Sequence, residues 1–348
     1  MKNLLVMYHS PCMDGYGAAV AFKDALDVSE WDSVQYHGTG YNQLAQVPND
    51  FNHPVQKCTH VVFLDICPTR EVLDYLLNIK NMYVCVLDHH ATAKDTLKGY
   101  ERSGLFYTIT DKFSGASLVK SIPPHAINSL FKFDIIGQTM MHEIGGGITN
   151  NDLYIKDIDS YRVMRSKIYT LLETRDLWHK HDLDLKKQAD YLSAYFKETN
   201  QANKDLITVA ELEALTEEGI KKGKDLIEQQ QLVVNAALAK ANIWNHHVDG
   251  EDVVVAVGIC PNDLSSMFGA THNESTELDS LAIGVYMDGD SVAGLSLRSD
   301  GFYPYARIVA ESLGGGGHDH ASGVSNNSKV VRTIEDVIEH TKKILTEI

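Results

Sequence analysis

Three short apolar runs in the first ninety residues each stop abruptly at an ionisable side chain. Leu4-Leu5-Val6-Met7-Tyr8 ends at His9, Val61-Val62-Phe63-Leu64 at Asp65, and Tyr83-Val84-Cys85-Val86-Leu87 at Asp88-His89-His90. Runs this short, apolar on both faces, fit strands of a buried parallel sheet. Helical patterns lie between them. Ala18, Ala19, Phe22, Ala25 and Leu26 share one face, and Thr69 offers an N-cap ahead of Val72, Leu73, Leu76 and Leu77. Strand–helix alternation predicts an α/β fold with a doubly wound, mainly parallel sheet. Ligands of such sheets sit outside the carboxyl ends of the strands, so His9, Asp65, Asp88, His89 and His90 should share one rim.

Residues 113–200 read as mainly helical, with an irregular patch at Gly145-Gly146-Gly147. Next to it, Met140-Met141-His142-Glu143 lacks the second histidine of a zinc-protease helix and reads as loop. Residues 204–241 form one long charged helix by pattern, with Leu206, Val209, Leu212, Leu215, Ile220, Leu226 and Ile227 on an imperfect apolar face. A smaller α/β domain with a mixed sheet follows. Its strands are expected at 253–257, 281–286 and 292–297, with a turn at Asp288-Gly289 and helices over 261–270, 304–313 and 333–346. The expected boundaries are 1–203 for the first domain, 204–242 for a helical linker and 243–348 for the second domain. There is no internal repeat.

Composition removes several function classes. The net charge is −16 with no offsetting basic stripe, which argues against binding long duplex nucleic acid, since that affinity comes from counterion release by basic surfaces. A small anionic substrate remains open if divalent cations supply positive charge. No apolar run reaches the roughly 18 residues of a membrane span, and the N-terminal apolar stretch is too short for a signal-peptide core. The five cysteines are scattered, with no CxxC pair, as expected in a reducing compartment. A cytoplasmic protein is expected, with a homodimer left open.

Carboxylates and imidazoles together suit divalent ions of the Mn, Mg or Zn type, and two such ions can clamp both sides of a displacement at phosphorus. Here the segments resemble the motifs of the DHH phosphoesterase superfamily. His9-Ser-Pro-Cys-Met-Asp14-Gly15 is similar to its first motif, Leu64-Asp65-Ile-Cys-Pro68 to the second and Leu87-Asp88-His89-His90 to the third. Ser114-Gly115-Ala116 resembles a helix start of that family, and Arg175-Asp176-Leu177-Trp178 resembles the fourth motif. In the second domain, Gly315-Gly316-Gly317-His318-Asp-His-Ala321-Ser322-Gly323 resembles the signature of the DHH-associated domain. The resemblance implies a metal-binding catalytic first domain and a substrate-binding second one.

By that resemblance, Asp65 would bridge two divalent ions, most naturally Mn²⁺, with Mg²⁺ or another transition metal as alternatives. Asp14, His89 and Asp176 would complete one ion's shell, and His9 would bind the other. Asp88 would orient a histidine, and His90 would contact the scissile phosphate and protonate the leaving oxygen. Many members carry an Asp-x-Asp pair in the first motif, whereas this chain has Cys12-Met13-Asp14. That departure leaves three readings: a weakened first site, a different metal there with Cys12 as thiolate ligand, or reduced activity. The rest of the set is intact, which favours an active enzyme.

The run Gly314–Gly317 can turn backbone N–H groups toward an anion. With His318 and Arg298, the resemblance makes Gly315, Gly316 and Gly317 the grip on the substrate's terminal phosphate or nucleotide. The expected activity is hydrolysis of short single-stranded oligoribonucleotides or linear dinucleotides to 5′-mononucleotides. The alternatives are an exopolyphosphatase or pyrophosphatase, and a catalytically weakened nucleotide-binding module. Phe268, Phe302, Tyr303 and Tyr305 are candidates for a base site, with core packing as their competing role.

Overall fold

In the computed structural model the first strand, β1 (Asn3–His9), buries alternate side chains on opposite faces. Leu4, Val6 and Tyr8 join one core, and Leu5 and Met7 another. That split, one core on each face of a single strand, defines a doubly wound sheet. The structure describes residues 2–41, 57–100, 102–130, 142–144, 147–149, 166–177, 182–325 and 330–348. The chain divides into two units, Met1–Leu226 and Ile227–Ile348, so the division falls inside the long helix.

In the first unit β1 is followed by α1 (Met13–Ala25), β2 (Ser33–Thr39), β3 (His60–Leu64), α2 (Arg70–Asn78), β4 (Tyr83–Asp88), α3 (Ala91–Leu97) and β5 (Leu105–Ile109). Then come α4 (Gly115–Ser121), α5 (Pro124–Ser129), β6 (His142–Ile144), β7 (Gly147–Thr149), α6 (Lys167–Asp176), α7 (Leu183–Glu198) and α8 (Val209–Leu238). The sheet order is β2-β1-β3-β4-β5-β7-β6. Its first five strands are parallel and the last two pair antiparallel. One face carries α1, α4, α6 and α7, with Phe22, Leu118, Tyr169 and Leu192 in its core. The other carries α2 and α3 through Val72, Leu73, Leu76 and Leu97. Thr69 does cap α2, its hydroxyl accepting from the Val72 N–H at 3.4 Å.

Two strands run where a loop was expected. His142–Ile144 and Gly147–Thr149 pair with each other and extend the sheet beyond β5. Strands of three residues separated by glycine carry too little period to be read from sequence. The helix pair α7–α8 meets at glycines one turn apart. A Cβ at Gly219 would press on Leu192 and Tyr195, and one at Gly223 would collide with the Tyr191 carbonyl.

In the second unit, Val234 on the last turns of α8 packs with Cys260, Leu264, Phe268 and Ala282. The elements are β8 (Asn242–Val248), β9 (Glu251–Ile259), α9 (Ser265–Glu274), β10 (Asp279–Asp288), β11 (Ser291–Asp300), α10 (Tyr305–Ser312), β12 (Gly316–His318), β13 (Ala321–Ser325) and α11 (Ile334–Glu347). The sheet order is β12-β13-β11-β10-β9-β8. Only β9 and β10 run parallel, so the sheet is mixed. Val255, Ile283, Leu297, Val309 and Val337 anchor its core. Gly289 takes φ +58° in the β10–β11 turn. Among the described residues, no helix is long and apolar enough to cross a membrane.

Candidate metal centre

Parallel strands of similar length end together, which is why distant residues meet here. His9 closes β1, Asp65 follows β3, and Asp88 closes β4 with His89 and His90 next in the chain. Asp14 lies in the first turn of α1 and Asp176 ends α6. The backbone at Asp65 sits in the left-handed region, φ +58°, with its N–H held by the Leu87 carbonyl at 2.9 Å. Aspartate tolerates that region better than most residues, and such costly conformations collect at functional sites. Two glycines make room for the ligands. A Cβ at Gly115 would lie 2.5 Å from the Asp65 side chain, and one at Gly15 would collide with the His9 carbonyl.

His89 Nε2 lies 3.1 Å from Asp65 Oδ1, 3.1 Å from Asp176 Oδ2 and 3.8 Å from Asp14 Oδ2. His9 Nδ1 lies 3.4 Å from Asp65 Oδ2. Ligand atoms about 2.1 Å from one ion stand roughly 3.0–3.4 Å apart, so three of these four separations match a shared coordination shell. The Asp14 separation is the looser one. Asp88 does something different. Its Oδ1 accepts from the His89 and His90 N–H groups at 2.7 and 3.2 Å and meets His90 Nδ1 at 2.7 Å. Asp88 therefore orients His90 and shapes the backbone of the motif.

Buried polar atoms are normally paired. Yet His9 Nδ1, Asp14 Oδ2, Asp65 Oδ1, His89 Nε2 and Asp176 Oδ2 are all buried without a hydrogen bond. All five belong to two groups of ligand atoms, His9–Cys12–Asp65 and Asp14–His89–Asp176, each within 4.8 Å, and a third group, Asp65–Asp88–His89–His90, links them through Asp65 and His89. Five orphaned atoms converging on one rim, all oxygen or imidazole nitrogen, fit divalent cations.

The electrostatics agree. Burial works against the charge on Asp65, but the adjacent His89 and His9 imidazoles outweigh it and draw the carboxyl down to about 2. Burial also opposes the charge on His89, but Asp65, Asp14 and Asp176 lift it to about 9. Asp14 is pushed well up by burial and then by Asp65 and Asp176, and Asp176 is pushed up by burial. Without cations the rim carries more negative charge than its one buried imidazole balances. Cys12 sits at the N-cap of α1 with no capping bond, and burial followed by Asp65 and Asp14 pushes its thiol up.

Tyr41 was not anticipated. It stands just past β2, a strand that the sequence pattern did not reveal, with its ring 4.9 Å from His9 and 5.9 Å from His90. It is 42% exposed, so it faces the rim while remaining open to solvent. Knowing that β2 ends beside β1 would have pointed to it. In the fourth motif, Arg175 pairs with Asp190 at 3.3 Å, and Trp178 lies outside the described residues.

In the second unit, Arg298 is half-buried on β11. It donates to Ser296 Oγ, the Leu297 carbonyl and Ser266 Oγ, and has no carboxylate partner among the described residues. The glycine run is more structured than an open anion loop. Gly314 and Gly315 donate to the Glu311 and Ala310 carbonyls at the end of α10. Gly316, Gly317 and His318 pair with Gly323, Ser322 and Ala321. The N–H of Gly315 is thus committed to the helix cap, and the His318 side chain lies outside the described residues. Phe268 and Tyr305 are fully buried in the core, whereas Phe302 is 89% exposed, edge-on to Tyr303 at 5.5 Å.

No family model and no curated protein matches the sequence. Solved structures do. RecJ from Thermus thermophilus, in complex with Mn²⁺, matches over 100% of this chain at 13% identity and TM-score 0.53, and this chain spans about half of that protein, 52%. A second structure, exonuclease RecJ bound to manganese, matches over 100% of this chain and 91% of its own at 14% identity and TM-score 0.55. With the rim, the parallel sheet and the mixed second sheet all in place, the chain has the fold of these two RecJ structures.

Proposed function

We propose that this chain is a divalent-metal-dependent phosphohydrolase that cleaves phosphodiester bonds in small nucleotide substrates, short oligoribonucleotides or linear dinucleotides, releasing 5′-mononucleotides. The convergence of orphaned ligand atoms on Asp65 carries the reading. Manganese is the proposed metal because both RecJ structures hold it and the donors are mostly oxygen. A pair of divalent ions supplies activated water at neutral pH and neutralises phosphoryl charge.

The chain's own residues do the rest. Asp65, buried and kept ionised, lies within ligand range of His9 and Cys12 on one side and of His89 on the other, and would serve both ions. Asp14, His89 and Asp176 would hold one ion; His9 would hold the other, alone or with Cys12. Asp88 engages His90 at Nδ1, which leaves Nε2 to face the substrate. Burial opposes the charge on His90, but Asp88 raises its affinity for a second proton, so Nε2 can deliver that proton to the leaving oxygen. In the second unit, Arg298 without a carboxylate partner among the described residues suits a substrate phosphate, and exposed Phe302 suits a stacked base. Of the two, Phe302 favours a nucleotide over a plain polyphosphate.

The test is product analysis of a 5′-phosphorylated diribonucleotide incubated with the purified chain and Mn²⁺, with Asp65→Ala in parallel. Mononucleotide release by the parent chain alone supports the proposal. Equal release by both proteins, or turnover of polyphosphate with none of the diribonucleotide, overturns it.

A further inference from the structure

The two ligand groups on either side of Asp65 are chemically unequal. Asp14–His89–Asp176 offers two carboxylates and an imidazole. The other group, His9–Cys12–Asp65, offers one carboxylate, one imidazole and one sulfur, with ligand atoms within 4.8 Å of one another. Two observations besides the cysteine point to a ligand there: the Asp65 carboxylate is 1% exposed and turns Oδ2 toward this group, and the His9 Nδ1 that faces it at 3.4 Å is buried and unbonded. Cys12 itself is half-buried at the start of α1, with its sulfur among the ligand atoms of His9 and Asp65.

From this we infer that the His9–Cys12–Asp65 group is a thiolate site selective for a thiophilic divalent ion such as Zn²⁺, Co²⁺ or Cd²⁺, while the Asp14–His89–Asp176 group takes a harder ion such as Mn²⁺. The inference rests on the reading of the rim as a two-ion centre and adds that its halves prefer different metals. Thiolate selects softer cations, and carboxylate–imidazole sets are more permissive. Binding breaks the Cys12 S–H bond, gives the sulfur electron pair to the cation and releases the proton to solvent, so one proton appears per thiophilic ion bound. The centre would then be heterometallic by construction.

The experiment titrates the metal-free full-length chain with Co²⁺ and with Cd²⁺, following the sulfur-to-metal charge-transfer absorption in the near ultraviolet. Bound metal is measured separately by equilibrium dialysis, so the readout does not depend on turnover. The expected result is a charge-transfer band in the parent chain that persists in Cys67→Ser and vanishes in Cys12→Ser. Serine is favoured at an N-cap, so Cys12→Ser should fold. Its affinity for Cd²⁺ should fall by about tenfold or more, the lower end of what even an outer partner of a metal ligand costs, while Mn²⁺ binding changes little. Cys12→Asp should lose the band and gain Mn²⁺ affinity at this group. Cobalt bound by the parent chain without the band, or with a band that survives Cys12→Ser, overturns the inference and leaves the proposed function standing. A parent chain that binds neither cobalt nor manganese overturns both.

Discussion

Asp14→Asn should make the metal-free protein more stable and the metal-loaded protein less so. Asp14 is 3% exposed, and its Oδ1 accepts from the Ala116 N–H at 3.1 Å, a bond asparagine can keep. Its other oxygen has no hydrogen bond. At an effective dielectric constant of about 20, attraction to a charged His89 at 3.8 Å is worth about 4 kcal/mol. Repulsion from Asp176, within 4.8 Å, returns at least about 3 kcal/mol, and Asp65 repels it as well. Little is left to offset burial of the charge. Removing that charge should therefore stabilise the apo form by about 1–2 kcal/mol, or roughly 2–8 °C in Tm for a unit of this size. Manganese reverses the order. At 100 times its Kd, a cation that binds only the native state adds about 2.7 kcal/mol, or roughly 5–11 °C, and the Asp14→Asn variant should lose most of it.

The pH dependence has a definite sign. The folded pKa of Asp14 is raised above its unfolded value, so its destabilising effect is absent below about 4 and full above the folded pKa. His89, raised to about 9, contributes stability that is full below about 6.5 and lost as pH rises through 9. Both make the apo form weaken with rising pH, and Asp14→Asn should flatten that slope. The assay is thermal unfolding of the parent chain and the Asp14→Asn variant with EDTA or Mn²⁺ across a range of about pH 4–9. A variant less stable than the parent in EDTA, yet equally responsive to manganese, would refute the reasoning.

Three further outcomes are expected. Gly223→Ala, which on an exposed helix would add about 1 kcal/mol, should instead cost about 1–3 kcal/mol in urea unfolding because its Cβ meets the Tyr191 carbonyl. His60, stacked on Tyr83 with centroids 5.0 Å apart and lowered to about 4 by burial and then by Lys2, stays neutral in the fold. The unfolded chain takes up the proton first, so stability should fall as pH drops from about 6.5 toward 4, and His60→Gln should remove that part of the acid slope. His90→Gln should lower kcat by about 10²–10⁴-fold and leave the manganese-induced Tm shift largely intact, since its role is proton delivery.

The strands that carry the centre were legible because a parallel strand buried on both faces is apolar throughout, as β1, β3 and β4 are. Strand β2 has one neighbour and a half-exposed face, so Ser33–Thr39 mixes polar with apolar residues and passes unnoticed. Strand β8 has the same edge position and the same polar alternation, Asn242 to Val248. Missing β2 meant missing Tyr41. The glycine run differs: its composition is that of an anion loop, and tertiary pairing with β13 draws Gly316 and Gly317 into a strand. The rim ligands could be read because chemistry and strand end coincide there. The sequence could not say which atoms face which, and only geometry separates Asp88, which holds His90, from Asp65, which faces His9 and His89.

The residues of the rim come from far along the chain, from His9 on the first strand to Asp176 at the end of α6. No short peptide from this chain holds a complete chelate, and the unfolded polymer has no more claim on a divalent ion than its scattered acids provide. Capture of a full set of cations would therefore be a late event. A nascent chain stalled before its α6 segment emerges would lack Asp176 and could complete only the His9–Cys12–Asp65 group, so full occupancy of the rim would be a readout of native assembly.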